Sequence, residues 1–266
     1  MTFSKLDKKL NKDEIFRVTV FSVCLLFCVC STFYFACIFN LSKMIMGLAS
    51  IVFVFIPDTA QRLLRFRIQT PLYLFIMLYT VCPMLGYSYN FYHLIPWWDK
   101  LLHTFAGVIF AMFGAYLPHV FNKKEHVSPL LCAVFGFFFS VAIAGLWEFV
   151  EFGMDSIFHT DMQKDRWISD IYSYLFGEEI GHVGELTDIT SVIVNGQPLK
   201  GYVDIGLIDS MIDMILETLG AAVYIFIYAM NKGKRFVFLP VEETEQDALQ
   251  ITEQTPIEEE AALTND

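Results

Sequence analysis

Apolar runs long enough to cross a bilayer recur along this chain, and they restrict it to one kind of fold. Val18 to Ser42 carries no charge, and Met44 to Pro57, extended by Asn40 to Lys43, is just long enough to cross. Ile68 to about Tyr89, with a kink expected near Cys82-Pro83, forms a third run; Leu101 to Phe121, Val127 to Phe152 and Gly206 to Met230 complete six. A spanning helix needs about 20 apolar residues. A mean hydropathy of +0.50, with 55% hydrophobic residues among 266, is more apolar surface than a soluble domain of this size can hide. The expected fold class is all-α, a polytopic membrane helix bundle of about six transmembrane helices. The first run is too long for the apolar core of a signal peptide and shows no convincing cleavage site, so it is read as a retained span.

Basic residues orient the bundle. Lys5, Lys8, Lys9, Lys12 and Arg17 precede the first span, Arg62, Arg65 and Arg67 lie between the second and third, Lys123 and Lys124 between the fourth and fifth, and Lys232, Lys234 and Arg235 follow the sixth. That puts thirteen of eighteen Lys and Arg on one side, which the positive-inside rule makes cytoplasmic, with both termini inside. The domain plan is then a basic N-terminus over 1–17, a membrane domain over 18–239 with a long extracytoplasmic loop at 153–205, and an acidic tail over 240–266. The tail has the composition of a disordered segment. It holds nine acids and no Lys or Arg, and without it the net charge of −11 becomes −2. The acidity is therefore not a clue to partners, and no basic patch for nucleic acid is present.

On the outer side, GYSYNFYHLIPWW has the Tyr and Trp of a headgroup-level belt. In the long loop, Trp167, Ile171, Tyr174 and Leu175 recur at helical spacing, the pattern of a short helix lying on the membrane surface. Asn195-Gly196 between extended-looking residues marks a hairpin. The six cysteines (Cys24, Cys28, Cys30, Cys37, Cys82, Cys132) all sit inside apolar runs and read as small buried hydrophobes.

Acids then stand out where they should be costly. Asp99, His103 and Gly107 follow at i, i+4, i+8 in span four; Glu148, Glu151 and Asp155 at i, i+3, i+7 where span five leaves; Asp209, Asp213 and Glu217 at i, i+4, i+8 in span six. With about 1.5 Å of rise per residue, Asp213 lies roughly 10 Å and Glu217 roughly 16 Å inside the helix start. A lone charge there costs at least about 2.5 kcal/mol. Asp99, Asp155 and Asp209 are near enough to the headgroups to be ordinary helix-end residues, and Glu148 and Glu151 could pair with Lys100 or Arg166. Asp213 and Glu217 are the hardest to explain structurally.

Carboxylates with one imidazole form a hard ligand set suited to Mg, Mn, Ca or Zn. A divalent ion would offset their repulsion and activate water; without one, the crowded acids could relay protons. The metal-ligand candidates are Asp99, His103, Glu148, Asp155, Asp209 and Asp213, with Glu151 as a catalytic base and Gln163 and Glu217 as further polar residues of the cavity. No HExxH, nucleophile elbow or P-loop occurs, and GLIDSMID lacks the first half of the CDP-alcohol transferase pattern.

In order, WDKLLHTFAG, AIAGLWEFVEFGMD, HTDMQ and GLIDSMIDMILETLGA resemble the motifs of the YjdF-like bacterial inner-membrane proteins. The DKLLH opening is also similar to that of VanZ-like proteins. The resemblance runs mainly from Tyr92 to Tyr228. It maps onto Asp99, His103, Gly107, Trp147, Glu148, Glu151, Met162, Gln163, Asp209, Asp213, Met214 and Gly220. The insert between Gln163 and Asp209 is longer than the pattern, and Ser210 replaces its usual Thr. The resemblance implies a multi-helix fold in the bacterial plasma membrane and supplies no activity. The expected function is a metal-dependent enzyme on an amphiphilic or lipid-linked envelope substrate, with membrane lipids as neighbours. A proton- or cation-coupled transporter and a non-catalytic envelope accessory factor are the alternatives. A transporter needs polar residues through to the other side, and FAMFGAY and AAVYIFIY are nearly apolar there.

Overall fold

The first long apolar run is broken at its far end by Asn40, whose side chain accepts the Lys43 backbone N–H at 3.1 Å and starts a new helix. In the computed structural model, which describes residues 12–122, 127–231 and 238–240, helix α1 (Lys12–Cys37) therefore stops short of Ser42. Helix α2 (Leu41–Leu64) continues through Pro57, well past the expected end of the second span. Arg65 closes it in the left-handed conformation, its N–H on the Gln61 carbonyl. Strand β1 (Phe66–Ile68) leads into α3 (Thr70–Ser88), which starts with Pro in its first turn and runs on through Pro83 without a break. The short α4 (Phe91–Leu94) precedes α5 (Trp98–Phe121), and α6 (Pro129–Phe158) and α7 (Leu207–Met230) complete the long helices. All six long helices are long and apolar enough to cross a membrane. The fold is the all-α polytopic bundle expected. The N-terminal lysines Lys5, Lys8 and Lys9, the basic residues at 123–124 and 232–235, and the acidic tail beyond Pro240 lie outside the described residues.

Two compact units divide the chain. One takes its described residues from Met1–Leu102, His119–Lys123 and Asn231–Asp266, the other from His103–Pro118 and Lys124–Met230. In the first, α1, α2 and α3 pack together around Tyr73, Met77 and Met84. β1 pairs antiparallel with β8 (Phe238–Pro240), Arg67 opposite Leu239. The start of α1 meets this same end: Arg17 donates to the Ile68 carbonyl and to Gln61 Oε1, both at 2.7 Å, and Arg67 pairs with Asp13 at 2.9 Å. The α2–α3 connection and residues 238–240 thus lie side by side.

In the second unit each helix buries a stripe at every fourth residue, a spacing that keeps side chains on one helix face. On α5 this stripe is His103, Gly107, Ala111 and Ala115; on α6, Cys132, Gly136, Ser140, Ala144 and Glu148; on α7, Asp209, Asp213, Glu217 and Ala221. Small residues there allow backbones to come close, the usual device of helix pairs in lipid. A Cβ on Gly136 would come within 2.6 Å of the Ala111 carbonyl oxygen, and one on Gly107 would land on the carbonyl of Glu217. Away from the acids, Ala115, Cys132, Ala133 and Tyr228 form an apolar cluster backed by Tyr224 and Ile225.

Between α6 and α7 the chain forms short antiparallel pairs: β2 (Trp167–Ile168) with β7 (Tyr202–Val203), β3 (Ile171–Ser173) with β4 (Gly184–Leu186), and β5 (Val192–Val194) with β6 (Gln197–Leu199). The expected surface helix over Trp167 to Phe176 does not form; two strands and one 3-10 turn (Tyr174–Phe176) take its place. The β-branched and aromatic residues of this stretch suit strands, and their partners lie far along the loop, where local periodicity cannot find them. The Asn195-Gly196 hairpin forms as read: both residues have positive φ, 50° and 80°, and Val194 faces Gln197. All six cysteines are free, but only Cys24, Cys28 and Cys132 are buried; Cys30 and Cys37 turn to the outer face of α1.

Candidate functional site

Adjacent residues on α6 show which solvent surrounds this bundle: Phe149 is 72% exposed while Glu148 beside it is 6% exposed. The arrangement repeats on α7, where Asp213 is 1% and Glu217 2% exposed and Leu219 faces out. Apolar side chains outside and acids inside would be unstable in water, where such exposed patches drive association, and are natural in lipid.

Because His103 and the α7 acids lie near the N-termini of their helices and Glu148 and Glu151 near the C-terminus of α6, the stripes bring the three groups to one end of this unit. The His103 imidazole sits between two successive turns of α7, with Nε2 3.7 Å from Asp213 Oδ2 and Nδ1 3.8 Å from Glu217 Oε2. Both separations exceed a hydrogen bond. The helix crossing sets this register. One turn deeper, Gly107 lies against the Glu217 carbonyl, Ser140 Oγ donates to the Gly107 carbonyl at 3.1 Å, and Gly220 lies against the carbonyl of Thr104. On α6, Glu148 is close enough to Glu217 for their charges to oppose each other. Glu148 Oε2 and Glu217 Oε1 are both buried and have no hydrogen-bond partner among the described residues. Leaving such oxygens unsatisfied is costly.

The other sequence candidates fall into two groups. Glu151 is buried and accepts the Trp147 indole N–H at 2.8 Å. Asp209 is buried and pairs with Arg166 at 3.6 Å. Asp99, one turn ahead of His103 on α5, pairs with Lys100 at 3.3 Å. Asp155 and Gln163 instead build the rim. Asp155 accepts the backbone N–H groups of Met162 (2.7 Å) and Gln163 (2.8 Å) and the Thr160 hydroxyl (2.6 Å), while Gln163 Nε2 donates to Ser210 Oγ at 2.6 Å. Residues 160–166 thereby strap the end of α6 to the start of α7.

Sequence reading missed Asp204 and Ser140. Asp204 caps α7 and fixes the strap: it accepts from the backbones of Arg166 (2.7 Å), Ile208 (2.9 Å) and Gly206 (3.4 Å). Burial works to raise its pKa, but those three N–H donors and the Arg166 charge outweigh it and hold the carboxyl below its ordinary range. A lowered folded-state pKa stabilises the fold in the ionised form. Its contribution is complete above about pH 4 and disappears as pH falls through the folded value. Protease cleavage between residues 160 and 206 should therefore accelerate below about pH 4 in the wild type. In Asp204→Asn the loop should already be cut faster at pH 7, with a flatter pH response. Nearby, burial and the charges of Asp161, Asp204 and Asp155 hold Asp165 above its ordinary value.

The fold and the inverted burial define a class: a multi-pass membrane protein that buries a group of acids among its apolar helices. Over residues 18–233 the chain matches the family described as "Predicted membrane protein (DUF2238)", and it belongs to that family. No curated protein and no solved structure matches it.

Proposed function

We propose that this protein is a metal-dependent enzyme of the bacterial plasma membrane, acting on an amphiphilic or lipid-linked envelope substrate. One observation carries the reading: a buried imidazole lies between two buried carboxylates, one of which, Glu217, is near enough to Glu148 for their charges to oppose each other. Two ligands about 2.1 Å from a tetrahedral ion stand roughly 3.4 Å apart. The 3.7 Å between His103 Nε2 and Asp213 is too long for a hydrogen bond and close to that spacing. The donor set is hard, one nitrogen and several oxygens, and fits Mg, Mn, Ca or Zn better than a thiolate metal.

In this reading His103 and Asp213 hold the ion, and Glu148 on the facing helix is a further candidate ligand. Asp209 supports them from the rim, where Arg166 offsets its charge, and Asp99 stands one turn ahead of His103 on the same helix. A divalent ion bound there supplies Lewis acidity and a water acidified toward neutrality. Glu151, oriented by the Trp147 indole, accepts the proton from the attacking water. The strap formed by residues 160–166 limits access from bulk water, and the apolar outer faces of α6 and α7 offer a lipid tail its ordinary surroundings. The motif resemblance to YjdF-like inner-membrane proteins supports the bacterial plasma membrane. The basic-residue pattern supports cytoplasmic termini and an extracytoplasmic site.

Elemental analysis of protein purified in detergent without chelator tests this. Wild type should carry on the order of one or two divalent ions per chain, as single-ion and two-ion hydrolytic sites do, and His103→Ala combined with Asp213→Asn should carry none. A folded wild type that stays metal-free after incubation with Zn, Mn, Mg and Ca contradicts the reading.

A further inference from the structure

The two nitrogens of His103 face acids in different settings. Nε2 faces Asp213, one turn nearer the start of α7 and on the same stripe as Asp209, whose partner Arg166 belongs to the rim. Nδ1 faces Glu217, one turn deeper, where the backbone is closed: Gly107 packs against the Glu217 carbonyl and Ser140 bonds the Gly107 carbonyl. An ion reaching the imidazole from the rim meets Nε2 first. A neutral imidazole has one N–H and one lone pair, and the partner of the first nitrogen decides which nitrogen can bind metal.

We propose that Glu217 is the positioning residue for His103: it holds the proton on Nδ1 and so presents the Nε2 lone pair toward Asp213 as the ligand. The inference rests on the metal reading above. Glu217 Oε2 is 3.8 Å from Nδ1, and its Oε1 has no hydrogen-bond partner among the described residues. Rotating this carboxylate to close the gap sacrifices no hydrogen bond of Oε1, whereas moving the ring would pull Nε2 away from Asp213. The Glu217 carboxylate is also near enough to Glu148 for their like charges to oppose each other. Drawing the carboxylate toward an N–H donor relieves that opposition. A carboxylate behind a ligating imidazole fixes its tautomer and raises its basicity, and losing one typically costs 10–100-fold in metal affinity.

The test uses the full chain in detergent and Zn2+ alone as probe. Imidazole 15N spectra of wild type, with the His103 signals identified by their loss in His103→Ala, report which nitrogen carries the proton. Zn2+ titrations compare wild type, Glu217→Ala, Glu217→Gln and His103→Ala. The wild type should show His103 protonated at Nδ1. Glu217→Ala should bind Zn2+ about 10–100-fold more weakly and show mixed tautomers. Glu217→Gln keeps an acceptor oxygen and should recover most of the affinity and the single tautomer, which a merely structural role would not do. A wild type that binds Zn2+ with His103 protonated at Nε2, or a Glu217→Ala that binds as tightly as wild type, overturns the positioning role and leaves the metal site standing. A wild type that binds no Zn2+ overturns both.

Discussion

Gly107→Ala should unfold the second unit or leave it too poorly packed to survive purification, although it adds one methyl group. The added carbon would land on the backbone carbonyl of Glu217, with the Ala221 nitrogen 2.9 Å away. No flexible side-chain end is there to yield; helix α7 itself must move. Overpacking of a core commonly costs about 1–3 kcal/mol and occasionally more, and a rigid backbone neighbour puts this case at the upper end or beyond. Gly145→Ala on α6 is the matched control, since nothing lies within 4 Å of a Cβ there. It should be neutral or stabilise by up to about 1 kcal/mol through helix propensity. Thermal unfolding and gel-filtration profiles in one detergent compare the two. Equal behaviour would mean that α5 and α7 do not cross at Gly107, and the register that sets His103 between Asp213 and Glu217 would go with it.

Chelation should have the second largest effect. Glu148, Asp213 and Glu217 are buried together with one imidazole, and like charges in a medium of low dielectric repel strongly. A bound divalent ion offsets this, and an ion at 100 times its dissociation constant adds about 2.7 kcal/mol of stability. EDTA should therefore lower the unfolding temperature of wild type by several degrees, and an excess of the stripped metal should restore it. Asp213→Asn removes both a ligand and a charge. In EDTA it should be at least as stable as stripped wild type, and it should gain little on adding metal. If EDTA leaves wild type unmoved, the acids are balanced by something other than a metal.

The six helices were legible because each apolar run is long and the basic residues alternate with them; no tertiary contact is needed to see either. Their ends were less so. Helix α6 runs to Phe158, six residues beyond the expected Phe152, because Glu151 turns inward and Asp155 spends its carboxylate on the 160–163 turn rather than on solvent. The Asn195-Gly196 hairpin was readable from two adjacent residues, whereas the strands at Trp167 and Ile171 find partners only at Tyr202 and Gly184–Leu186. Trp167, Ile171, Tyr174 and Leu175 fit a helical stripe equally well, and only those distant partners decide against it.

At the site, the i, i+4 spacing of Asp99 and His103 and of Asp209, Asp213 and Glu217 announced two inward faces. What spacing cannot give is the opposition of the helices. That His103 lies between Asp213 and Glu217 follows from Gly107 and Gly220, glycines whose importance appears only when the facing carbonyls are known. The pairing of Arg166 with Asp209 and the capping by Asp204 join loop to helix and leave no periodic trace.

The central claim is that His103 and Asp213 share a divalent ion. Its most direct test is an anomalous-diffraction measurement at the zinc edge, on crystals of the full chain grown with Zn2+. The expected result is a peak about 2.0–2.2 Å from both His103 Nε2 and an Asp213 oxygen, the ordinary zinc–ligand distance. Zinc bound only elsewhere, with His103 and Asp213 well ordered and no peak between them, would contradict the account.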